Sequence, residues 1–363
     1  MLTRKKTYVW VLLVLVGVIS VASYYTLQHG VGTTWTSVSQ LLSFDGHSPS
    51  ARTNAPNLVV FGDSWSDDAS RPSPVDRAAR VTGEKFYDGE AQDGRRHLRF
   101  GAGFGGRWSD GPVWPEYLCM ATGCADYLNL AFGGAKITNR FVKSPVPDLV
   151  QQRDNFLAIK SVDASATDKH RSLSEELAQN RRTLLIFWFG INDLIQYISL
   201  LPTTDDRQQA VVSSVATLFD VAKDLANRFP QSNFLFMSAI DVTLLPVWQE
   251  RYTDNDPNLH KFKEVIRLSQ VWRQEMAMHV GNWNKTLGSI QYWDANAWYA
   301  RSISGVTNNG FNNIKDKCFD HNTSQLCSTP DKYFFWDHVH LTTAAHKSIA
   351  AKLRQMKLWP PRP

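Results

Sequence analysis

Cysteine is scarce in this chain, with four among 363 residues. Neither close pair has the two-residue gap of the common structural zinc sites, so such a site is excluded as the organising feature. The pairs are Cys119 with Cys124 and Cys318 with Cys327. Four cysteines can connect in more than one way. In an oxidising compartment, local disulfides are the expectation, whereas free buried thiols would suit the cytosol. Blocks of like charge are also lacking. The net charge of +5 is dispersed, and part of it is Arg4, Lys5 and Lys6 at the extreme N-terminus. That excludes a nucleic-acid partner on electrostatic grounds. Long apolar segments are missing outside the N-terminus and the expected strands and helices, so no apolar lid stands out.

What is present begins at that N-terminus. Basic residues precede an uncharged run from Thr7 to about Tyr25, rich in Val and Leu. This is the layout of a secretory signal or a signal anchor over 1–27. The run is near the lower limit of roughly 17–20 residues for a spanning helix. Val21-Ala22-Ser23 offers a cleavage site, but the length favours an anchor. Either way the rest of the chain lies outside the cytosol, in the secretory pathway or beyond it. Residues 28–55, rich in Ser, Thr and Gly, read as a stem, and 56–360 as one folded domain. Two sequons, at Asn284 and Asn322, suit glycosylation in that compartment.

The domain is organised around 58–67. An apolar run at 58–61 reads as a buried strand and stops at Gly62, which permits a sharp turn into Asp63-Ser64. Residues 69–116, dense in Gly, Pro, Arg and Asp, read as a long surface excursion. Inside it, 101–106 matches a dinucleotide-binding pattern by letter. No apolar strand precedes that stretch and no helix can follow it, so the reading is rejected. Further strands are expected at 126–132, ending in Gly133-Gly134-Ala135, and at 183–189, ending in Gly190-Ile191-Asn192-Asp193. Others fall at 233–237 and 290–293. Helices are expected at 172–180, 205–228, 258–280 and 342–356, the last stopped by Pro360. Short strands alternating with helices mean an α/β fold, a parallel sheet with helices on both faces. The glycine turns after three strands would then gather at one sheet edge, where such folds bind ligands.

Near the C-terminus, Asp337 precedes His340 by three residues. On a tight loop the carboxylate can bond Nδ1 and leave Nε2 as a base. Ser64, His340 and Asp337 would be nucleophile, base and orienter. The backbone N–H groups of Ser64 and Gly134 and the side-chain amide of Asn192 could stabilise an oxyanion.

Those four blocks, 62–67, 129–135, 190–193 and 337–340, taken in order, resemble the GDSL/SGNH hydrolases. The resemblance implies a flavodoxin-like three-layer α/β/α sandwich. It also implies serine esterase chemistry without metal or cofactor, on Ser64, His340 and Asp337 with Gly134 and Asn192. The stretch 106–114 and the paired cysteines are similar to the secreted plant and fungal branch, some of whose members are acetylesterases and others lipases or lysophospholipases. Leu341 departs from the family's usual proline after the histidine. The expected partner is an ester substrate, an acetylated carbohydrate first and a lipid acyl ester second. The membrane joins it if the N-terminus is uncleaved. A glycan-binding protein without turnover is the reading outside enzymes.

Each assignment has a plainer alternative. Ser64 can be a helix cap, and Asn192 an Asx turn. Gly133 competes with Gly134, and His338 with His340. Asp337, His338, His340 and His346 can also be read as metal ligands. Trp65, Trp108 and Trp114 are either core residues or a platform for a sugar.

Overall fold

The structure is a computed structural model and describes residues 55–70, 106–124, 126–159, 182–251, 259–305 and 310–359. The N-terminal segment 1–27, nearly all of the stem 28–55, the excursion over 71–105 with the glycine-rich 101–105, the helix expected at 172–180 and Pro360 lie outside the described residues.

β1 (Asn57–Gly62), β2 (Asp126–Asn129), β3 (Thr183–Trp188), β4 (Asn233–Met237) and β5 (Ser289–Trp293) form one five-stranded sheet in the order β2-β1-β3-β4-β5. Every neighbouring pair is parallel. β1, β3 and β4 are buried along their whole length. This is why they read as unbroken apolar runs: a central parallel strand is covered on both faces.

The register builds two aromatic faces. Phe61, Phe187 and Phe236 are cross-strand partners. Their rings stack at centroid separations of 4.9 and 5.2 Å. Phe156 of α2 (Leu149–Ala158) and Phe219 of α4 (Thr204–Arg228) cover this face. On the other face Trp188 and Trp293 lie 6.4 Å apart. Trp114 of α1 (Trp114–Thr122) and Trp298 of α7 (Ala295–Ile303) cover them. A buried aromatic or aliphatic side chain contributes about 1.5–3 kcal/mol, so these two layers are the main reason the sheet holds its register. On the phenylalanine side, α4 packs on α6 (Leu259–Gly281), which also meets α3 (Ile191–Leu200). On the tryptophan side, α1 packs on α8 (Thr343–Arg354). The fold is the expected three-layer α/β/α sandwich.

Several expected bounds differ. The strand expected at 126–132 ends at Asn129. Leu130 and Phe132 still donate to Val60 and Gly62 of β1, so the chain stays extended beyond the ladder. The excursion expected to run to 116 gives way at Trp114 to α1, whose Pro115 sits in the first turn, where its missing N–H costs nothing. The helices α1, α2, α3 and α7 were not anticipated. All are ten residues or shorter, too short for helical periodicity to show.

Both disulfides pair locally as expected, Cys119 with Cys124 and Cys318 with Cys327. The second closes a hairpin of β7 (Phe319–Asp320) and β8 (Gln325–Leu326), which follows β6 (Asn313–Lys317) and precedes β9 (Tyr333–Phe335). Among the described residues no helix is long and apolar enough to cross a membrane.

Candidate functional site

Ser64 lies two residues beyond β1, 6% exposed. The turn is tightly specified. Ser66 and Asp67 donate their N–H groups to the Asp63 carbonyl, each at 3.0 Å, and the Trp65 N–H reaches Asp63 Oδ1 at 3.0 Å. Gly62 is required here, because a Cβ would stand 2.9 Å from Ser66 Oγ and 3.1 Å from the Trp188 carbonyl. Gln152 of α2 clamps Gly62 from the side, accepting its N–H at 3.0 Å and donating to its carbonyl at 2.9 Å.

The C-terminal block closes on this serine. Phe335 bridges Leu341, and the Trp336 N–H donates to the His340 carbonyl, so 337–340 is a tight loop. Asp337 Oδ1 accepts the N–H groups of Val339 and His340, each at 2.8 Å. His340 Nδ1 lies 2.9 and 2.8 Å from the two carboxylate oxygens, and its Nε2 lies 3.0 Å from Ser64 Oγ. With Nδ1–H donated to the carboxylate, Nε2 is the acceptor for the serine hydroxyl. Burial alone would raise the Asp337 carboxyl. The His340 imidazole, the hydrogen bonds from His321 and His340 and the Val339 N–H outweigh burial and hold it well below the usual carboxylate range.

Two more strand ends converge on the same place. Gly134 has φ +83°, a conformation that favours glycine. Gly133 spends its N–H on Asp67 Oδ2 at 2.8 Å. Among the described residues no acceptor takes the N–H of Gly134 or of Ser64. Asn192, half-buried at the start of α3, donates one amide hydrogen to the Ala135 carbonyl at 3.0 Å. The next residue, Asp193, is fully buried, where it accepts the Ile137 N–H at 3.1 Å. Burial raises its pKa to about 7.

The tryptophans need correction. Trp65 is 1% exposed and Trp114 is 0% exposed, so neither can meet a substrate. Trp65 packs edge-on against Trp188, and Trp114 donates Nε1–H to Ser66 Oγ at 3.2 Å. Both brace the serine turn from beneath. Only Trp108 reaches the site, its ring 4.7 Å from that of His340. It lies so close to Gly133 that a Cβ there would stand 2.3 Å from its Nε1.

The competing histidines point elsewhere. His338 meets Glu250 at 3.1 Å and Lys317 at 3.3 Å. His346 is buried in α8, and burial, with the nearby His340, lowers its pKa to about 3. The four residues of the metal reading therefore do not converge, and no group of three or more metal-ligating side chains occurs among the described residues. Asn284 and Asn322 are both exposed. The sequence reading missed Gln152, whose role leaves no local signal. It also missed His321, which bonds Asp337 Oδ2 at 3.0 Å. A histidine inside a short cysteine-bounded segment was the available clue.

A five-stranded parallel sheet with a serine, a histidine and an aspartate joined by hydrogen bonds beyond its strand ends belongs to the α/β class with hydrolase-like geometry. The sequence model of one family, GDSL-like Lipase/Acylhydrolase, matches residues 58–353, and the chain belongs to that family. The thermolabile hemolysin of Vibrio parahaemolyticus serotype O3:K6 (strain RIMD 2210633) is 26% identical over 313 residues, which is 80% of this chain and 66% of that protein. The chain thus spans just under two thirds of the length of this relative. Among solved structures, phospholipase A1 from Streptomyces albidoflavus NA297 is similar at 15% identity and TM-score 0.36, covering 83% of this chain and 98% of its own. A family two carbohydrate esterase from Cellvibrio japonicus is similar at 12% identity and TM-score 0.34, covering 83% of this chain and 62% of its own.

Proposed function

We propose that the protein is a serine hydrolase of carboxylic esters, working through an acyl-enzyme on Ser64. The observation that carries this reading is the unbroken series from Ser64 Oγ to His340 Nε2 at 3.0 Å and from His340 Nδ1 to Asp337 at 2.8 Å. His340 takes the Ser64 proton as the hydroxyl oxygen attacks the ester carbonyl, and the alcohol leaves with that proton. Water, deprotonated by His340, then releases the acid. The oxyanion of each step falls to the N–H groups of Ser64 and Gly134 and to the Asn192 amide. Among the described residues two of these have no acceptor, and the third has one hydrogen left after bonding Ala135.

Acetyl esters of carbohydrate are the first substrate class. Trp108, beside His340, supports a sugar, as does the likeness of 106–114 to the plant and fungal branch. With Trp65 and Trp114 in the core, that support is narrower than three tryptophans would make it. A lipid acyl ester is the second class, favoured by the similarity to a protein named as a hemolysin. The two disulfides suit an extracellular or secretory-pathway setting. The anchor over 1–27 and glycans on Asn284 and Asn322 belong to the same proposal.

The test is hydrolysis of p-nitrophenyl esters from acetate to palmitate by the full chain and by Ser64→Ala. Turnover of acetate alone, lost in Ser64→Ala, supports the acetylesterase reading, and deacetylation of acetylated xylan fragments is the next assay. A rise with chain length moves the substrate to lipids. A folded wild type without turnover sinks the hydrolase reading and leaves a binding protein.

A further inference from the structure

The Asp337 carboxylate carries one donor more than a serine, histidine and aspartate array requires. Its two oxygens are held differently. Oδ1 is fixed by the N–H groups of Val339 and His340, within its own loop. Apart from His340, the only group among the described residues that bonds Oδ2 is His321, at 3.0 Å.

His321 is brought there by a braced element. It follows β7 in the hairpin that the Cys318–Cys327 disulfide closes, and the Cys327 N–H donates to the Cys318 carbonyl at 2.7 Å. The hairpin is tied to the segment that leads into Asp337. Cys318 donates to Phe335 at 3.0 Å and Phe319 to Trp336 at 2.6 Å, backbone to backbone. The Phe319 and Trp336 rings stack at 5.2 Å, and the His321 ring stands edge-on to Phe319 at 4.9 Å. Ring contacts and backbone bonds therefore aim the imidazole at one carboxylate oxygen.

We propose that His321 is a positioning residue of the active site: held by the disulfide-closed hairpin, it donates Nε2–H to Asp337 Oδ2 and fixes the carboxylate that orients His340. The proposal rests on the reading of Ser64, His340 and Asp337 as the catalytic array. It also has an electrostatic side. The hydrogen bond to Asp337 raises the His321 pKa against the effect of partial burial, and the charges of Asp337 and Asp320 add to the rise. The other charges nearby are Lys317 of β6, which pairs with Asp320 and Glu250 at 3.2 Å each, and Glu250 itself. While protonated, His321 shares the carboxylate with His340. Without it, one cation fewer faces the catalytic carboxylate.

The experiment is steady-state kinetics across pH on full-chain wild type, Ser64→Ala, His321→Ala, His321→Gln, Cys318→Ser/Cys327→Ser and Cys119→Ser/Cys124→Ser, with p-nitrophenyl acetate and with thermal unfolding of each. His321→Ala should lower kcat about tenfold, the scale of a lost hydrogen bond to a charge. KM should be unchanged, and the acidic limb of kcat/KM should move to higher pH. His321→Gln, which can donate without charge, should recover most of kcat and keep the displaced limb. Cys318→Ser/Cys327→Ser should share the kcat loss, while Cys119→Ser/Cys124→Ser should not. Wild-type kcat and limb in His321→Ala, with Ser64→Ala inactive, would overturn the proposal and leave the array standing. So would equal losses in the Ala and Gln variants with an unmoved limb, which would mark a purely structural contact. Activity surviving in Ser64→Ala would remove the array and the proposal with it.

Discussion

Asn192→Ala tests the proposed oxyanion donor separately from the rest of the site. The side chain is half-buried in the first turn of α3, and its amide has two hydrogens. One is donated to the Ala135 carbonyl at 3.0 Å, which aligns the amide with the turn that holds Gly134. The other meets no acceptor among the described residues, and in the proposed mechanism it serves the substrate oxygen. Losing a donor of this kind raises the barrier by about 3–4 kcal/mol, because the charge it meets exists only in the transition state. At about 1.4 kcal/mol per decade, kcat should fall roughly 10²- to 10³-fold. KM should hardly move, since a neutral carbonyl gains little from the bond. The structural loss is one hydrogen bond to Ala135, about 0.5–1.5 kcal/mol of stability. The assay is kcat and KM on the ester that wild type turns over best, with thermal unfolding alongside. A kcat within about threefold of wild type, or a loss confined to KM, would refute the assignment. Asn192→Asp sharpens the comparison. It keeps the shape but sets a carboxylate, which cannot donate, against both the Ala135 carbonyl and the oxyanion. Its kcat should fall at least as far.

Three further substitutions probe the frame of the site. Asp67→Ala leaves the Gly133 N–H without its acceptor at 2.8 Å. It should cost about 1–3 kcal/mol on urea unfolding and lower kcat by loosening the adjacent Gly134. Gly190→Ala forces φ +127° on a residue with a Cβ and sets that Cβ 2.4 Å from Ala239 Cβ. A loss of about 2–4 kcal/mol is expected, read by the same unfolding curve. Asp63→Asn concerns pH. Burial raises this carboxyl to about 7, against 3.8 for the unfolded chain. The folded state thus holds the proton more tightly, and the group's stability contribution is full below about pH 4 and fades as pH rises to about 7. The amide keeps an acceptor for the Trp65 N–H and carries no charge to bury. The variant should gain stability on the order of a few kcal/mol at pH 8 and none at pH 4, and equal gains at both would contradict the argument.

Much of the fold was legible because the central strands announce themselves. At 58–61, 184–189 and 234–237 the sequence is apolar without alternation, which is what a strand covered on both faces demands. The glycines that end β1 and β3 were legible for a related reason, since sharp exits into crowded surroundings exclude a Cβ. The helices α1, α2, α3 and α7 were not. Each is short and fixed by its surroundings: α2 by the capping box of Asp148 with Gln151, α1 by the Glu116 side chain reaching back to the Val113 N–H. The tryptophans misled for a physical reason. Polar, glycine-rich surroundings suggested exposed loops, whereas Ser66 accepts the Trp114 indole N–H and the Trp188 ring takes the edge of Trp65.

The candidate site was legible in its side chains and opaque in its backbone. Spacing alone could choose His340 over His338, because a carboxylate three residues earlier can reach Nδ1 of one and not of the other. No spacing could choose Gly134 over Gly133. That choice turns on Asp67, whose carboxylate reaches across from the serine turn and takes the Gly133 N–H. The same aspartate therefore joins the first block to the second and decides which amide stays available. Gln152 does a parallel task behind the turn, satisfying both backbone groups of Gly62 so that the strand end needs no further partner. Unpaired N–H groups are rare in folded proteins. Here the neighbouring amides of Gly62, Trp65, Ser66 and Gly133 are all bonded, and those of Ser64 and Gly134 have no acceptor among the described residues. That selectivity is what an anion-binding purpose would produce and a merely irregular loop would not.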